Sequence, residues 1–396
     1  MVASNPVLIV GAGVSGLALA QALRKAGLPF KVFESDLSTS FRAQGYRIGI
    51  KGDNLQACLP LELWTRFKDG SGKPPQNISR VDAIITECLP SNFGPPSGNG
   101  NAPTRRPPIS DTFTADRAVL RDLLLDGLEE SVAFGHRLRR FDISDEAVVA
   151  HFENGSSFEG SLLIAADGNG SAVRHQHLPY HHLLDPGLRC NYGKTIFTEE
   201  LLQAFPSMAE QCAFLIVDKI DPAGRQLAMF VESMRFQDSE IRADLPDDYG
   251  QALPSSPRKS PSTTGMSPYK ALLELQDLKR TAALRVPTAV PDIAPWETCS
   301  RVTFIGDAIH LMPPTGGIGA NTALEDVAAL TRILVGNGIT ESSIKQYEDD
   351  MRHRSLDAIE KSFQGAKHMV GLGHWSTFKF DGRRAGFQFD GQRLIK

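Results

Sequence analysis

Cysteine is scarce in this 396-residue chain: Cys58, Cys88, Cys190, Cys212 and Cys299 are scattered, odd in number and never spaced C-x-x-C. That excludes a disulfide framework and a zinc ribbon as organising devices, and it fits a reducing compartment. An excess of one charge is lacking too. Lys and Arg total 42 against 46 for Asp and Glu, a net charge of −4, so there is no basic field for a nucleic acid. No window approaches the roughly 18 apolar residues of a membrane helix. No basic segment precedes the first apolar run, which is too short for a secretory signal. A cytoplasmic protein without a transmembrane segment is expected. No internal repeat stands out.

What is present is glycine, placed directly after apolar runs. Val7-Leu8-Ile9-Val10 leads into Gly11-Ala12-Gly13-Val14-Ser15-Gly16, then a helical stretch to Lys25-Ala26 closed by Gly27. A second strand, Phe30-Lys31-Val32-Phe33, ends on Glu34. This is the strand, G-x-G-x-x-G, helix, strand and acid layout of a dinucleotide-binding βαβ unit. Gly11 permits the tight turn, Gly13 lets a pyrophosphate approach the backbone, and Gly16 lets the helix lie close to the strands. The helix N-terminus offers N–H groups to phosphate, and Glu34 is placed to accept from an adenosine ribose.

Two further turns repeat the pattern. Ser161-Leu162-Leu163-Ile164-Ala165 runs into Asp167-Gly168-Asn169-Gly170, and Val302-Thr303-Phe304-Ile305 runs into Gly306-Asp307, followed by Gly316-Gly317-Ile318-Gly319-Ala320-Asn321. Ligands of open parallel sheets bind at the carboxyl ends of strands, so three such turns imply one extended ligand gripped in several places. Asp307 can hold polyol hydroxyls, and the glycine run before the helix from Thr322 to about Val335 can bring N–H groups to a phosphate or an electron-rich ring. An adenine dinucleotide with a polyol-bearing half fits better than NAD alone.

Elsewhere, Leu55 to Phe67 reads as a helix interrupted near Pro60, and Asp116 to Glu130 as an amphipathic helix with Leu120, Leu123, Leu124 and Leu128 on one stripe. Arg117 and Arg121 lie in its first turns, where the helix dipole disfavours cations, so something anionic near Arg117 is expected. Ala147 to Ala150, the Asn154-Gly155 turn and Ser161 to Ala165 read as a β-hairpin. Leu215 to Val217, Leu227 to Val231 and Ala282 to Val286 read as strands of one sheet. A charged helix spans Ser342 to about Lys367. Residues 89–108 and 251–268, rich in Pro, Gly, Asn and Ser, read as irregular insertions.

With these motifs in order over nearly the whole chain, the sequence resembles class A flavoprotein monooxygenases of the para-hydroxybenzoate hydroxylase superfamily, in the style of salicylate and polyketide hydroxylases. The resemblance rests on Gly11, Gly13, Gly16 and Glu34; on Asp167 and Gly168 with Ser171 and Arg174; and on Gly306, Asp307, Ala308, His310, Pro313, Gly317, Gly319 and Asn321. It implies an α/β fold in which a Rossmann-type, GR2-like FAD-binding domain (1–70, 110–180 and 286–340) carries an inserted β-rich substrate domain (71–109 and 181–285) and a C-terminal helical segment and tail (341–396).

The resemblance also implies roles. Asp307 would bind the flavin ribitol, Gly319 and Ala320 would lie against the isoalloxazine, and Asn321 completes that motif. Arg117, in Asp116-Arg117-x-x-Leu120, matches a helix arginine that contacts FAD. Arg47 stands where relatives place a flavin-side or substrate-side residue, and Asp167 and Gly168 match a motif linked to FAD and NAD(P)H. The implied reaction is NAD(P)H- and O2-dependent hydroxylation or epoxidation of an aromatic or polyene small molecule through a C4a-hydroperoxide of the flavin, in secondary metabolism. No second G-x-G-x-x-G occurs, so the nicotinamide donor would dock transiently. Arg189, Tyr192 and Arg235 are the candidates on the substrate sheet, and no side chain is forced into a catalytic role. Two rivals stay open. A flavin halogenase lacks support because its Trp-x-Trp-x-Ile-Pro motif is missing, with Trp64, Trp296 and Trp375 far apart. A redox-silent FAD scaffold is the other.

His310 reads as a packed, hydrogen-bonded histidine beside its turn. His175, His177, His181 and His182 lack the spacing of a metal site. Trp375, Phe378, Phe380, Phe387 and Phe389 in the tail, with Lys379, Arg383 and Arg384, could lie on a membrane surface, but packing against the body or partial disorder is the expected reading.

Overall fold

A strand buried on both faces needs an unbroken apolar run, and two such runs, Val7–Val10 and Leu162–Ala165, lie side by side in the main sheet. The computed structural model describes residues 5–39, 46–72, 78–82, 88–89, 111–196, 198, 201, 213–219, 226–232, 268–278, 281–380, 388–389 and 394–395. In chain order the first half comprises β1 (Val7–Val10), α1 (Val14–Lys25), β2 (Phe30–Phe33), β3 (Arg47–Lys51), α2 (Gly52–Cys58), α3 (Leu61–Gly70), β4 (Ile78–Asp82), β5 (Cys88–Leu89), β6 (Thr112–Asp116), α4 (Arg117–Leu125), β7 (Val132–Ala133), β8 (Leu138–Ile143), β9 (Val148–Phe152), β10 (Ser157–Gly160), β11 (Leu162–Ala165) and α5 (Ala172–His177). The second half comprises β12 (Leu184–Asp185), β13 (Arg189–Tyr192), β14 (Ala213–Lys219), β15 (Gln226–Val231), α6 (Pro268–Glu274), β16 (Ala282–Arg285), β17 (Val302–Phe304), α7 (Gly319–Asn337), α8 (Glu341–Val370) and β18 (Lys379–Phe380).

The main sheet has the order β17-β11-β1-β2-β7 and is parallel throughout. Every residue of β1 and β11 is buried. α1 packs on this sheet and is tied to α4 by Gln21, whose amide donates to the carbonyls of Leu124 and Asp126 at 2.8 and 2.9 Å. α8 starts with a Thr340–Ser343 capping box and joins the same core: the buried Tyr347 hydroxyl donates to the Phe304 carbonyl at 2.8 Å. Beside the main sheet stands β15-β14-β4-β5, with β13 paired to β16 and β12 to β18 as separate ribbons. The α/β class and its Rossmann-type unit are those expected.

The hairpin expected to return on Ser161 to Ala165 needs correcting. The strand that pairs with β9 after Asn154-Gly155 is β10, and β11 instead lies parallel to β1. β10, Ser157-Phe158-Glu159-Gly160, is an edge strand and carries no apolar run. At Gly160 a Cβ would fall 2.4 Å from Leu8 Cγ and 2.7 Å from the Pro6 carbonyl, so the chain is pressed against the start of β1 there. Three smaller corrections follow. The helix at 116–130 ends at Leu125, broken before Gly127 at φ +71°, with Asp116 its N-cap rather than its first residue. Ala282–Arg285 pairs with β13 and not with β14 or β15. α7 begins three residues earlier than expected, at Gly319. Residues 90–110 and 251–267, Arg235, Arg383, Arg384 and Phe387 lie outside the described residues.

Candidate functional site

β1, β11 and β17 are neighbours, so the turns leaving their C-terminal ends lie side by side although residues 11, 167 and 306 are far apart in the chain. At the first turn Gly11 has φ +107°, and a Cβ there would fall 2.3 Å from the Ala166 carbonyl oxygen. A Cβ on Gly16 would fall 2.0 Å from the Gly11 carbonyl oxygen. These two glycines seat α1 against the turns of two strands. Gly13 is different, since a Cβ there meets nothing within 4 Å. It is the N-cap of α1 and supplies no side-chain cap, so the first N–H groups of the helix face outward, the arrangement that cradles an anion.

Glu34 ends β2 beside this turn. Its Oε2 accepts from the Ala12 N–H at 2.8 Å and its Oε1 from the Asp36 N–H at 2.9 Å. Burial disfavours its charge, but the N–H groups of Asp36 and Ala12, the Ser35 hydroxyl and Arg121 outweigh that and hold its carboxyl below the usual value. Arg121 is buried, donates from Nε to the Ala12 carbonyl at 2.8 Å and lies 3.6 Å from Glu34. Arg121 thus meets a carboxylate, while the anionic group near Arg117, where one is expected, is Asp307 of the third turn.

At the second turn Asp167 Oδ2 accepts from the Ala172 N–H at 2.8 Å, a helix-capping role, while Oδ1 is buried with no hydrogen-bond partner. Burial pushes this carboxyl up, opposed by Ser171, Ala172 and Arg174. Arg174 joins the second turn to the third. Almost wholly buried, it donates to the Ala308 carbonyl at 2.5 Å and to the Asn169 carbonyl at 2.6 Å.

The third turn presents Asp307. Its side chain is accessible to solvent, yet protein surrounds it closely enough that desolvation raises its pKa, with His310 and Arg117 opposing. It makes no hydrogen bond among the described residues. Gly319, Ala320 and Asn321 open α7, whose N-cap, Ile318, provides no side-chain cap. The Asn321 amide is committed to the backbone of β3: it donates to the Gly49 carbonyl at 2.9 Å and accepts from the Lys51 N–H at 2.7 Å. It pins β3 beside the start of α7. His310 is fully buried, with Nε2 2.6 Å from Asp326 Oδ2, the hydrogen-bonded role expected of it.

Residues 46 and 47 stand where the main sheet meets the smaller ones. Tyr46 stacks on Tyr192 of β13 at 4.6 Å, and the Arg117 guanidinium lies over the Tyr46 ring, 5.4 Å from its centroid. Arg47 Nε lies 2.7 Å from Glu232 Oε1, just beyond β15, and Lys194 pairs with Asp116. Burial and neighbouring Cys190 and Tyr46 push the Tyr192 hydroxyl well above its usual value, so it is a neutral phenol. Arg189 is engaged with Asp185 at 3.1 Å on the β13–β16 ribbon, away from this stack. Arg121, Glu232 and Asp326 were not among the expected site residues. Arg121 leaves a trace as a cation in the first turns of its helix, and Asp326 leaves another: it falls on the stripe of α7 that also holds Thr322, Ala323, Val327 and Leu330, where an acid is out of place.

An FAD molecule suits what these turns leave without protein partners: the open Cα of Gly13, the orphaned Oδ1 of Asp167 and the Asp307 carboxylate. Comparison with known proteins agrees. Residues 293–362 match the model of an FAD binding domain, and residues 9–69 that of an NAD(P)-binding Rossmann-like domain. The chain is 32% identical over 434 residues to the dual O-methyltransferase/FAD-dependent monooxygenase elcB of Phaeosphaeria nodorum, covering 92% of this chain and 46% of that protein. It thus spans about half the length of the dual enzymes it matches. To the FAD-dependent monooxygenase adaC of Aspergillus niger it is 28% identical, with 91% of this chain and 92% of adaC covered. In fold it is similar to HpxO of Klebsiella pneumoniae, solved with FAD and uric acid, at TM-score 0.65 and 21% identity over 92% of this chain and 89% of that one. Among the described residues no helix is long and apolar enough to cross a membrane. By its matched segments the chain carries an FAD-binding domain, and in sequence it is similar to FAD-dependent monooxygenases.

Proposed function

We propose that this chain is a monooxygenase that uses FAD, NAD(P)H and O2 to hydroxylate or epoxidise an aromatic or polyene small molecule during secondary metabolism. The observation that carries the reading is the adjacency of three turns, each leaving one ligand-binding group without a protein partner. Bound there, FAD supplies the redox chemistry, taking electrons from the nicotinamide and activating O2. The chain's own residues bind and orient. Gly13 and the start of α1 receive the pyrophosphate, Glu34 accepts from the adenosine ribose, Asp307 accepts from the ribitol, and the N–H groups that open α7 meet the ring.

The substrate class follows from the junction. Among the described residues its cations are matched: Arg47 by Glu232, Lys194 by Asp116, and Arg117 by the Tyr46 face. What is left is aromatic surface and a neutral phenol, which suits a flat aromatic ligand and keeps water from the ring. The pairing of O-methyltransferase and monooxygenase in elcB supports a phenolic substrate or product.

The test is direct. Purified protein should be yellow, or become so with added FAD, and should oxidise NADH or NADPH faster when a polycyclic phenol is present, with one atom from ¹⁸O₂ entering the product. Colourless protein that cannot be reconstituted overturns the cofactor; FAD-loaded protein that neither consumes the nicotinamide nor transfers oxygen across a phenol panel overturns the activity.

A further inference from the structure

Behind the third turn a chain of charged groups crosses the core. Asp307 is its accessible end. His310, fully buried, lies 2.6 Å from Asp326 Oδ2, and that oxygen also accepts from the Gly306 N–H at 3.0 Å. The second oxygen of Asp326 accepts from Arg354 Nη2 at 3.1 Å. Asp326 is on α7, fully buried; Arg354 is on α8 with 26% of its side chain exposed. Four ionisable groups thus run from the turn to the surface, and the last belongs to the C-terminal helix.

Stability alone does not account for this arrangement. Desolvating buried charges costs about as much as their pairing returns, and apolar side chains of similar volume do as well or better. The chain is also aimed: Asp326 binds the backbone of the residue immediately before Asp307, and places an imidazole beneath it. Burial opposes charging of His310, but Asp326 and Asp307 outweigh it and hold its pKa above the usual value. Arg354 is the second cation facing Asp326, reaching it from α8.

We propose that Arg354 is a positioning residue for the flavin site, anchoring Asp326 so that Asp326 fixes Gly306 and His310, and with them the placement of Asp307 and the charge beneath it. This rests on the assignment of FAD to the three turns. Arg354 touches no part of that site and acts through Asp326. Removing it takes one positive charge from a low-dielectric region near the flavin. A reduced flavin carries negative charge, so the oxidised form gains by comparison.

The experiment compares wild-type protein with Arg354→Met and Arg354→Lys, each as apoprotein titrated with FAD and as holoprotein in a spectroelectrochemical cell. Arg354→Met should weaken FAD binding about tenfold or more and move the midpoint potential to more negative values; apoprotein melting should fall as well, because Asp326 stays buried without that cation, so the potential of FAD-loaded protein is the readout that a loss of stability does not move. Arg354→Lys should recover most of both losses. Wild-type affinity and potential in Arg354→Met overturn the proposal. So does a loss of affinity that Arg354→Lys does not recover and that tracks apoprotein melting, which is the signature of a merely structural residue. Failure of the wild-type protein to bind FAD overturns the cofactor assignment itself, and this proposal with it.

Discussion

The two sides of the candidate site are built on different principles. On the nucleotide side, each turn is a local device, an apolar strand followed by glycine or Asp-Gly, and the parallel order β17-β11-β1 sets the devices next to each other. On the side proposed for the substrate nothing is local. Tyr46 meets Tyr192, Arg47 meets Glu232, and Asp116 meets Lys194, each pair joining separate strands. A site made of backbone turns is rigid and tolerates change in its surroundings. One made of paired side chains can be retuned residue by residue while the scaffold stays fixed.

That contrast can be broken or sharpened by mutation. The largest effect is expected at Gly11→Ala and Gly16→Ala, where a Cβ would sit 2.3 and 2.0 Å from carbonyl oxygens. Each should cost about 4 kcal/mol or more and abolish FAD binding, read by thermal unfolding and FAD titration. Survival of either with unchanged melting would mean that the turns are not the rigid part.

Second comes Glu348, on α8, which accepts from Thr298 and Thr303 at 2.9 and 3.0 Å and so clamps β17 from behind. Burial pushes its carboxyl up from 4.5 to about 7, with the two threonines, Trp296 and Arg352 opposing. The folded state therefore holds this proton more tightly than the unfolded one. Its contribution is complete below pH 4.5 and is lost as pH rises to about 7, on the order of 3 kcal/mol in all. Glu348→Gln should flatten that part of the stability curve in denaturant titrations; a slope unchanged by the substitution would show that the carboxyl is not the source.

Third, Glu232→Ala leaves Arg47 without its counter-charge and should cost about 2 kcal/mol, while Arg47→Met with Glu232→Met should cost less than the single change. A double-mutant cycle measures the difference, and additive losses would dissolve the idea of paired construction. Smallest in stability is Gly13→Ala, whose Cβ meets no protein atom. Apoprotein melting should hardly move while FAD affinity falls about tenfold, roughly 1.4 kcal/mol. Equal affinity would mean that the pyrophosphate does not approach Gly13.

Legibility follows the same division. The first βαβ unit was readable almost to the residue, including Gly27, which has the positive φ of +70° that a C′ glycine takes. The turns at 167 and 306 were readable because each follows its strand directly. The hairpin was misread because the apolar run nearest the Asn154-Gly155 turn is the more conspicuous one. A run buried on both faces belongs to a parallel sheet, whereas the true return strand needs only one packed position. Arg121 was noticed as a cation at the wrong end of a helix, and its partner Glu34 was known, but no local rule connects them. Glu232 and Arg354 carried no signal at all, since a charged residue near a strand end or on a long charged helix reads as solvated surface.

By itself the sequence determined most of the segments that become strands and where the backbone must turn without a side chain, and from these comes the expectation of a dinucleotide across the turns. These are short-range matters, set by steric limits on φ and by the periodicity of apolar residues. Only the tertiary structure decided which turns are neighbours, which arginines and acids neutralise one another, and that the C-terminal helix reaches the third turn through Asp326. Such pairings rest on distances of a few ångströms between residues far apart in the chain, and they arise when the sheet order brings those residues together.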